Sequence, residues 1–121
     1  MIKYFLFLGI LFLGVNCSAQ PSNSKVLNQT EFKKQIKSSR DIQLIDVRTP
    51  DEFHNGHIAN AENINYMSHS FKTNLERLDK NKAVYVYCHS GGRSAKAANV
   101  LVKAGFKKVY DLKGGYSAWK K

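Results

Sequence analysis

The stretch Ala83-Val-Tyr-Val-Tyr87 is apolar at every position and runs directly into Cys88-His-Ser-Gly-Gly-Arg-Ser94, after which Ser94 to Ala104 patterns as a helix. A strand with one wet face alternates polar and apolar residues; a strand without alternation needs cover on both faces. Residues 83–87 are therefore expected in the middle of a sheet with helices above and below it.

The flanking sequence supplies those helices. Val26-Leu27 reads as a short strand, and Asn28-Gln-Thr-Glu31 has the form of a capping box for a helix carrying Phe32 and Ile36 on one face. Ser38-Ser39-Arg40 ends that helix. Gln43–Val47 is a second strand, and Thr49-Pro50-Asp51-Glu52 opens another helix with an N-cap, a proline at its first position and acids in its first turn. Gly56-His57-Ile58 stops it; a short strand over 62–65, a helix over 70–78, a strand over 106–111 and a helix ending at Trp119 follow, with Gly105 at the cap of the helix before the last strand. Such alternation over about a hundred residues implies one α/β domain with an open, mainly parallel sheet.

Composition agrees and excludes other classes. The chain has 121 residues, 43% of them apolar and only two proline, which excludes disorder, collagen-like repeats and coiled coils. Two cysteines cannot build a multi-bridge scaffold. The net charge of +10 comes from lysines scattered over helices and tail (33, 34, 37, 107, 108, 120, 121), without the aromatic-lined basic patch that nucleic-acid binding uses.

Lys3 followed by the apolar run 4–15 has the form of a secretory signal, too short to remain as a membrane span. Cleavage after Ala19 leaves a Ser/Asn/Pro-rich tether over 20–25 and a domain from 26 to 121. The competing reading lipidates Cys17, against which stands the bulky Asn16 before it. Either way the domain is expected to be exported, most readily to a periplasm. Cleavage leaves Cys88 as a single thiol where thiols are oxidised, either a small buried apolar residue or a reactive nucleophile.

The local sequence favours the nucleophile. In open α/β sheets ligands bind beyond the carboxyl ends of the strands, where Cys88 lies. A loop with Gly91-Gly92 can curl so that successive N–H groups converge, since glycine tolerates positive φ. The next helix adds unpaired N–H groups and the positive end of its dipole, and Arg93 adds a fixed charge. At such sites thiol pKa values fall from about 8.5 to roughly 3.5–7.5, so Cys88 is expected as a thiolate.

Three ordered segments together resemble the single-domain rhodaneses, the thiosulfate sulfurtransferase family. They are Leu44-Ile-Asp-Val-Arg-Thr-Pro-Asp-Glu-Phe53 with Gly56-His57-Ile58 and Ala61; Val86 to Ser94; and Gly105-Phe106, Val109 and Leu112-Lys-Gly-Gly-Tyr-Ser-Ala-Trp119. The resemblance covers about residues 26–119. It implies a rhodanese-like fold with a five-stranded parallel sheet, and a Cys88 that carries sulfur as a persulfide taken from a small anionic donor and passed to cyanide or a thiol. It gives backbone N–H groups from His89, Ser90, Gly91, Gly92 and Ser94 the task of holding the persulfide, Arg93 that of attracting the donor, and Asp46 that of supporting the active-site region. Four residues separate Cys88 from Arg93, whereas the related tyrosine phosphatases place five there to enclose a phosphate. The open alternative is a carrier or redox module that hands sulfur to a partner protein without free turnover.

The remaining polar residues receive smaller expectations. Arg48 and Glu52 are expected to pair across the capped turn, and His57 to be a hydrogen-bonded core histidine. His89 is open between a role in substrate entry and none. His54 and His69 lack ligand spacing, so neither metal nor cofactor is expected, and the domain is expected to be monomeric.

Overall fold

A computed structural model describes residues 24–120. The signal segment 1–19, with Cys17 and Ala19, lies outside the described residues. Five strands, β1 (Ser24–Leu27), β2 (Ile42–Asp46), β3 (Glu62–Asn63), β4 (Ala83–Tyr87) and β5 (Val109–Leu112), form one parallel sheet in the order β1-β5-β4-β2-β3. The apolar strand β4 is central, as its lack of alternation requires. Helices α1 (Gln29–Ser38), α2 (Pro50–His54), α3 (Phe71–Leu75), α4 (Gly92–Lys103) and α5 (Gly115–Trp119) connect and cover it.

The sheet divides two cores. On one face Val84, Val86 and Cys88 pack with Ile45, Val47 and Val109 beneath Phe71 and Leu75 of α3 and Ala97, Ala98 and Leu101 of α4. On the other, Leu44, Tyr85, Tyr87 and Leu112 pack with Phe32 of α1, Ile58 and, at the edge, Tyr116 and Trp119 of α5. Each fully buried side chain of this size contributes about 1.5–3 kcal/mol. Phe32 is fully enclosed and meets Tyr85 and Trp119 edge-on.

The helix starts follow their sequence signals. Asn28 caps α1 by accepting from the Glu31 N–H, and Thr49 and Glu52 form the full reciprocal capping box on α2. Several boundaries move. Strand β1 begins at Ser24, inside the expected tether, because its backbone pairs with β5 from Ser24↔Val109 onward. Phe106 is buried outside any strand, helix α3 stops at Leu75 and α4 starts two residues early, at Gly92. His57 is not a core residue: it is exposed, with its ring stacked on Phe53 at 3.7 Å and its Nδ1 2.9 Å from the Phe53 carbonyl.

Candidate active site

Central strand β4 delivers Cys88 to the carboxyl edge of the sheet, on the face covered by α4. The side chain is 1% exposed, and it is the free cysteine among the described residues. The chain then turns through exposed His89 and Ser90 into Gly91, whose φ of +114° brings its N–H back to donate to Cys88 Sγ at 3.0 Å. Only one of the two glycines uses that freedom. Gly92 is the first residue of α4 and a Cβ there would meet nothing within 4 Å.

Ser94, fully buried in the first turn of α4, places Oγ 3.4 Å from the sulfur, accepting from the thiol while its own hydroxyl donates to the Gly91 carbonyl at 3.2 Å. Burial pushes the Cys88 thiol up, but the hydrogen bond shared with the Ser94 hydroxyl, which can turn from the Gly91 carbonyl to donate to a thiolate, and those from the Ser94, Gly91 and Ser90 amides outweigh it, so the thiol is more acidic than an ordinary cysteine. Of the loop amides expected to converge on the sulfur, those of Ser90, Gly91 and Ser94 act on it, together with the Ser94 hydroxyl.

Arg93 differs from its expectation. Its guanidinium already has a carboxylate partner, bonded to Glu52 by Nη1 to Oε1 at 2.6 Å and Nη2 to Oε2 at 2.9 Å. The pairing expected between Arg48 and Glu52 is accordingly not formed. Arg48 precedes the first turn of α2, so four-residue spacing does not bring it over Glu52. It turns instead onto Asp46, with Nη2 to Oδ2 at 2.7 Å and Nε to Oδ1 at 3.0 Å. The Arg93 hydrogen bonds hold the Glu52 carboxyl down at about 2 despite partial burial.

Asp46 and Arg48 support the site from the opposite face. Asp46 is fully buried and aligned with Tyr87 in the β2–β4 register. Its partner Arg48 donates to the Gly56 carbonyl at 2.6 Å and lies 4.4 Å from the Tyr116 ring centroid. Tyr116 N–H donates to the Cys88 carbonyl at 2.8 Å, and Ser117 N–H to the His89 carbonyl at 2.9 Å. The loop is thus held by α5, which sequence reasoning had not connected to it. The signal lay in Gly114-Gly115: both have positive φ, and a Cβ on Gly115 would lie 2.6 Å from the Cys88 and His89 carbonyl oxygens. His89 touches this network through its backbone.

A model of the rhodanese-like domain matches residues 28–121. The chain belongs to the rhodanese-like family. Among its relatives, YqhL of Bacillus subtilis is 42% identical over 95 residues, spanning 78% of this chain and 71% of that one. The thiosulfate sulfurtransferase GlpE of Coxiella burnetii is 41% identical over 86 residues, 71% of this chain and 78% of GlpE. Among solved structures, a rhodanese-like domain protein from Staphylococcus aureus superposes with a TM-score of 0.70 at 34% identity, covering 78% of this chain and 90% of that one. The rhodanese motifs therefore occupy the places in the fold that their order in the sequence implied: the first at the end of β2 and on α2, the second between β4 and α4, the third along β5 and α5.

Proposed function

We propose that this rhodanese is a sulfurtransferase acting through a persulfide on Cys88. The observation that carries the reading is the hydrogen-bonded sulfur itself, buried at the end of the central strand and met by the Gly91 N–H and the Ser94 hydroxyl, groups that stabilise an anion there. The Cys88 thiolate attacks the outer sulfur of thiosulfate; the new S–S bond forms as the donor's S–S bond breaks, and sulfite leaves with the bonding pair. The persulfide terminus bears the negative charge and faces the same donors. Cyanide or a thiolate then attacks the outer sulfur and returns Cys88 to its thiolate. Two half-reactions on one nucleophile require ping-pong kinetics. The similarity to GlpE, named a thiosulfate sulfurtransferase, supports thiosulfate as a donor.

Delivery to a protein acceptor is the second reading. It is favoured by YrkF of Bacillus subtilis, provisionally named a sulfur carrier protein, which is 30% identical over 98% of this chain, although this chain spans only 61% of YrkF. Both readings share the first half-reaction and divide at the second. Export remains part of the proposal, supported by the apolar run 4–15 and tested by fractionating cells that express the full chain.

The test is intact-mass measurement after incubation with thiosulfate, in wild type and Cys88→Ser. A single-sulfur adduct, removed by reductant and absent from the variant, is expected; its absence from the wild type rejects the persulfide. Thiocyanate release on adding cyanide distinguishes turnover from carriage.

A further inference from the structure

The face of the sheet away from Cys88 carries a cleft that the sulfur chemistry does not use. Strand β3 is two residues long and pairs only with Ile45 and Asp46, so among the described residues the first half of β2 is an open sheet edge. Helix α1 stands on one side of this half-strand. The turn 58–61, closed by the Ala61 N–H donating to the Ile58 carbonyl at 3.0 Å, stands on the other. Between them, against Trp119 of α5, lies a cavity of about 750 Å³. Small-molecule sites run to roughly 300–1,000 Å³ and combine an apolar lining with a few polar groups.

The lining has that division. Ile36, Ile42, Leu44, Ile58 and Trp119 make an apolar floor, and its deepest members, Leu44 and Ile58, are 7% and 4% exposed. Lys33, Lys37 and Arg40 make a cationic rim, and no acidic side chain lines the cleft. Lys33 and Lys37 are four residues apart on one face of α1, a spacing at which like charges repel. Lys33 Nζ lies 5.6 Å from the centroid of the Trp119 ring, at the junction of rim and floor. Among the described residues none of the three cations has an ion-pair partner. The acids nearest in sequence are engaged elsewhere, Asp41 with Lys82 at 3.0 Å and Glu31 with the Gln35 amide at 3.0 Å. A smaller recess shares the wall of Lys33 and Trp119, and in it Gln29 Nε2 is buried without an acceptor. Donors therefore outnumber acceptors on this side of α1, an imbalance that a ligand with acceptor oxygens corrects.

We propose that this cleft is a binding site for a small anionic amphiphile, an alkyl carboxylate whose chain lies on the apolar floor and whose headgroup sits among Lys33, Lys37 and Arg40. The carboxylate supplies the charge that the rim lacks, and the chain removes recessed aliphatic surface from water. A second copy of this chain is a poor occupant, because it also carries a net charge of +10. Leu44, Ile58 and Trp119 belong to the core on the opposite side of the sheet from Cys88, so the ligand does not occupy the place of a sulfur donor.

Trp119 is the single tryptophan of the chain, and its fluorescence reports on the cleft. Emission is followed as hexanoate, octanoate or decanoate is added below its micelle concentration, with decan-1-ol as a probe of the chain alone and inorganic phosphate as a probe of the charge alone. A saturable change is expected with decanoate, tightening about fourfold for each methylene added along the series. Decan-1-ol is expected to bind more weakly, and phosphate to give no saturable change. Lys33→Gln/Lys37→Gln keeps residues of similar helix propensity and is expected to weaken decanoate about four- to twentyfold, leaving decan-1-ol unaffected. Blocking Cys88 with iodoacetamide is expected to leave the decanoate affinity unchanged. The proposal is overturned if decanoate does not saturate, if affinity is independent of chain length, or if decan-1-ol or phosphate binds as well as decanoate. It is equally overturned if the double variant keeps the wild-type affinity or if blocking Cys88 abolishes binding.

Discussion

Glu52 Oε1 accepts from both Arg93 Nη1 at 2.6 Å and the Thr49 backbone N–H at 3.3 Å, so one carboxylate closes the capping box of α2 and grips the cation of the active-site loop. The N-cap that starts α2 thereby fixes the partner of Arg93 across the carboxyl edge of the sheet. A cation in the first turn of α4 faces the positive end of that helix dipole. Glu52 offsets that repulsion and lifts the Arg93 pKa further. An anionic donor approaching Cys88 must compete with this carboxylate for the guanidinium.

Replacing Glu52 with Gln is therefore expected to improve use of a dianionic donor. Glutamine still fits a capping box, so α2 is retained while Arg93 loses its counter-charge. Exposed or half-exposed ion pairs contribute about 0.3–1 kcal/mol, which corresponds to a fall in the KM for thiosulfate of roughly two- to fivefold, with kcat little changed. Steady-state kinetics on Glu52→Gln checks this; a rise in KM shows instead that the pair holds Arg93 in its working position.

Two carboxyl groups give stability opposite dependences on pH. The folded pKa of Glu52 is lowered to about 2, so its contribution is present above the ordinary glutamate pKa and is lost as pH falls through about 2. The folded pKa of Asp111 is raised to about 6, so the folded state binds the extra proton and stability declines as pH rises from about 4 to about 6. Denaturant unfolding from pH 4 to 8 is expected to show Asp111→Asn gaining on the wild type, by on the order of 1–3 kcal/mol, across that window. Glu52→Gln is expected to be less stable than the wild type throughout that range, with the gap closing only as pH falls from about 4 toward 2.

The parts of this site legible in the sequence are those governed by local geometry. Thr49 and Glu52 sit at capping spacing, and the apolar run of β4 fixes where Cys88 emerges. The ion pairs were not legible, because Arg48 has carboxylates at two and four residues' distance and the helical rule that favours Glu52 applies only inside a helix. Asp111 reads as an ordinary strand end; nothing in Val-Tyr-Asp-Leu says that its carboxyl is enclosed beneath α4. His57 looked like a core residue, yet stacking on Phe53 satisfies its ring at the surface.

The two glycine pairs are expected to respond differently to a methyl group. Gly115→Ala places a Cβ 2.6 Å from the Cys88 and His89 carbonyls at a φ of +60°. It is expected to destabilise by about 1–3 kcal/mol and to slow sulfur transfer on the order of ten- to a hundredfold by shifting the loop. Gly92→Ala meets no atom within 4 Å and has no positive φ. It is expected to be neutral or to stabilise by up to about 1 kcal/mol. Thermal melting and thiocyanate release measured on both variants test the contrast.

Ser94→Ala isolates what holds the sulfur as an anion. Burial favours the neutral thiol, and among the groups that oppose it the Ser94 hydroxyl ranks first, ahead of the Ser94, Gly91 and Ser90 amides. Removing a hydrogen bond to a charged group costs about 1.5–3 kcal/mol. The thiol pKa is therefore expected to rise and alkylation near pH 7 to slow about tenfold. The Gly91 N–H, 3.0 Å from the sulfur, is untouched by the substitution and should preserve a residual thiolate population. If Ser94→Ala alkylates as fast as the wild type at every pH, the backbone amides alone hold the anion, and the hydroxyl contributes packing beneath the loop rather than charge stabilisation.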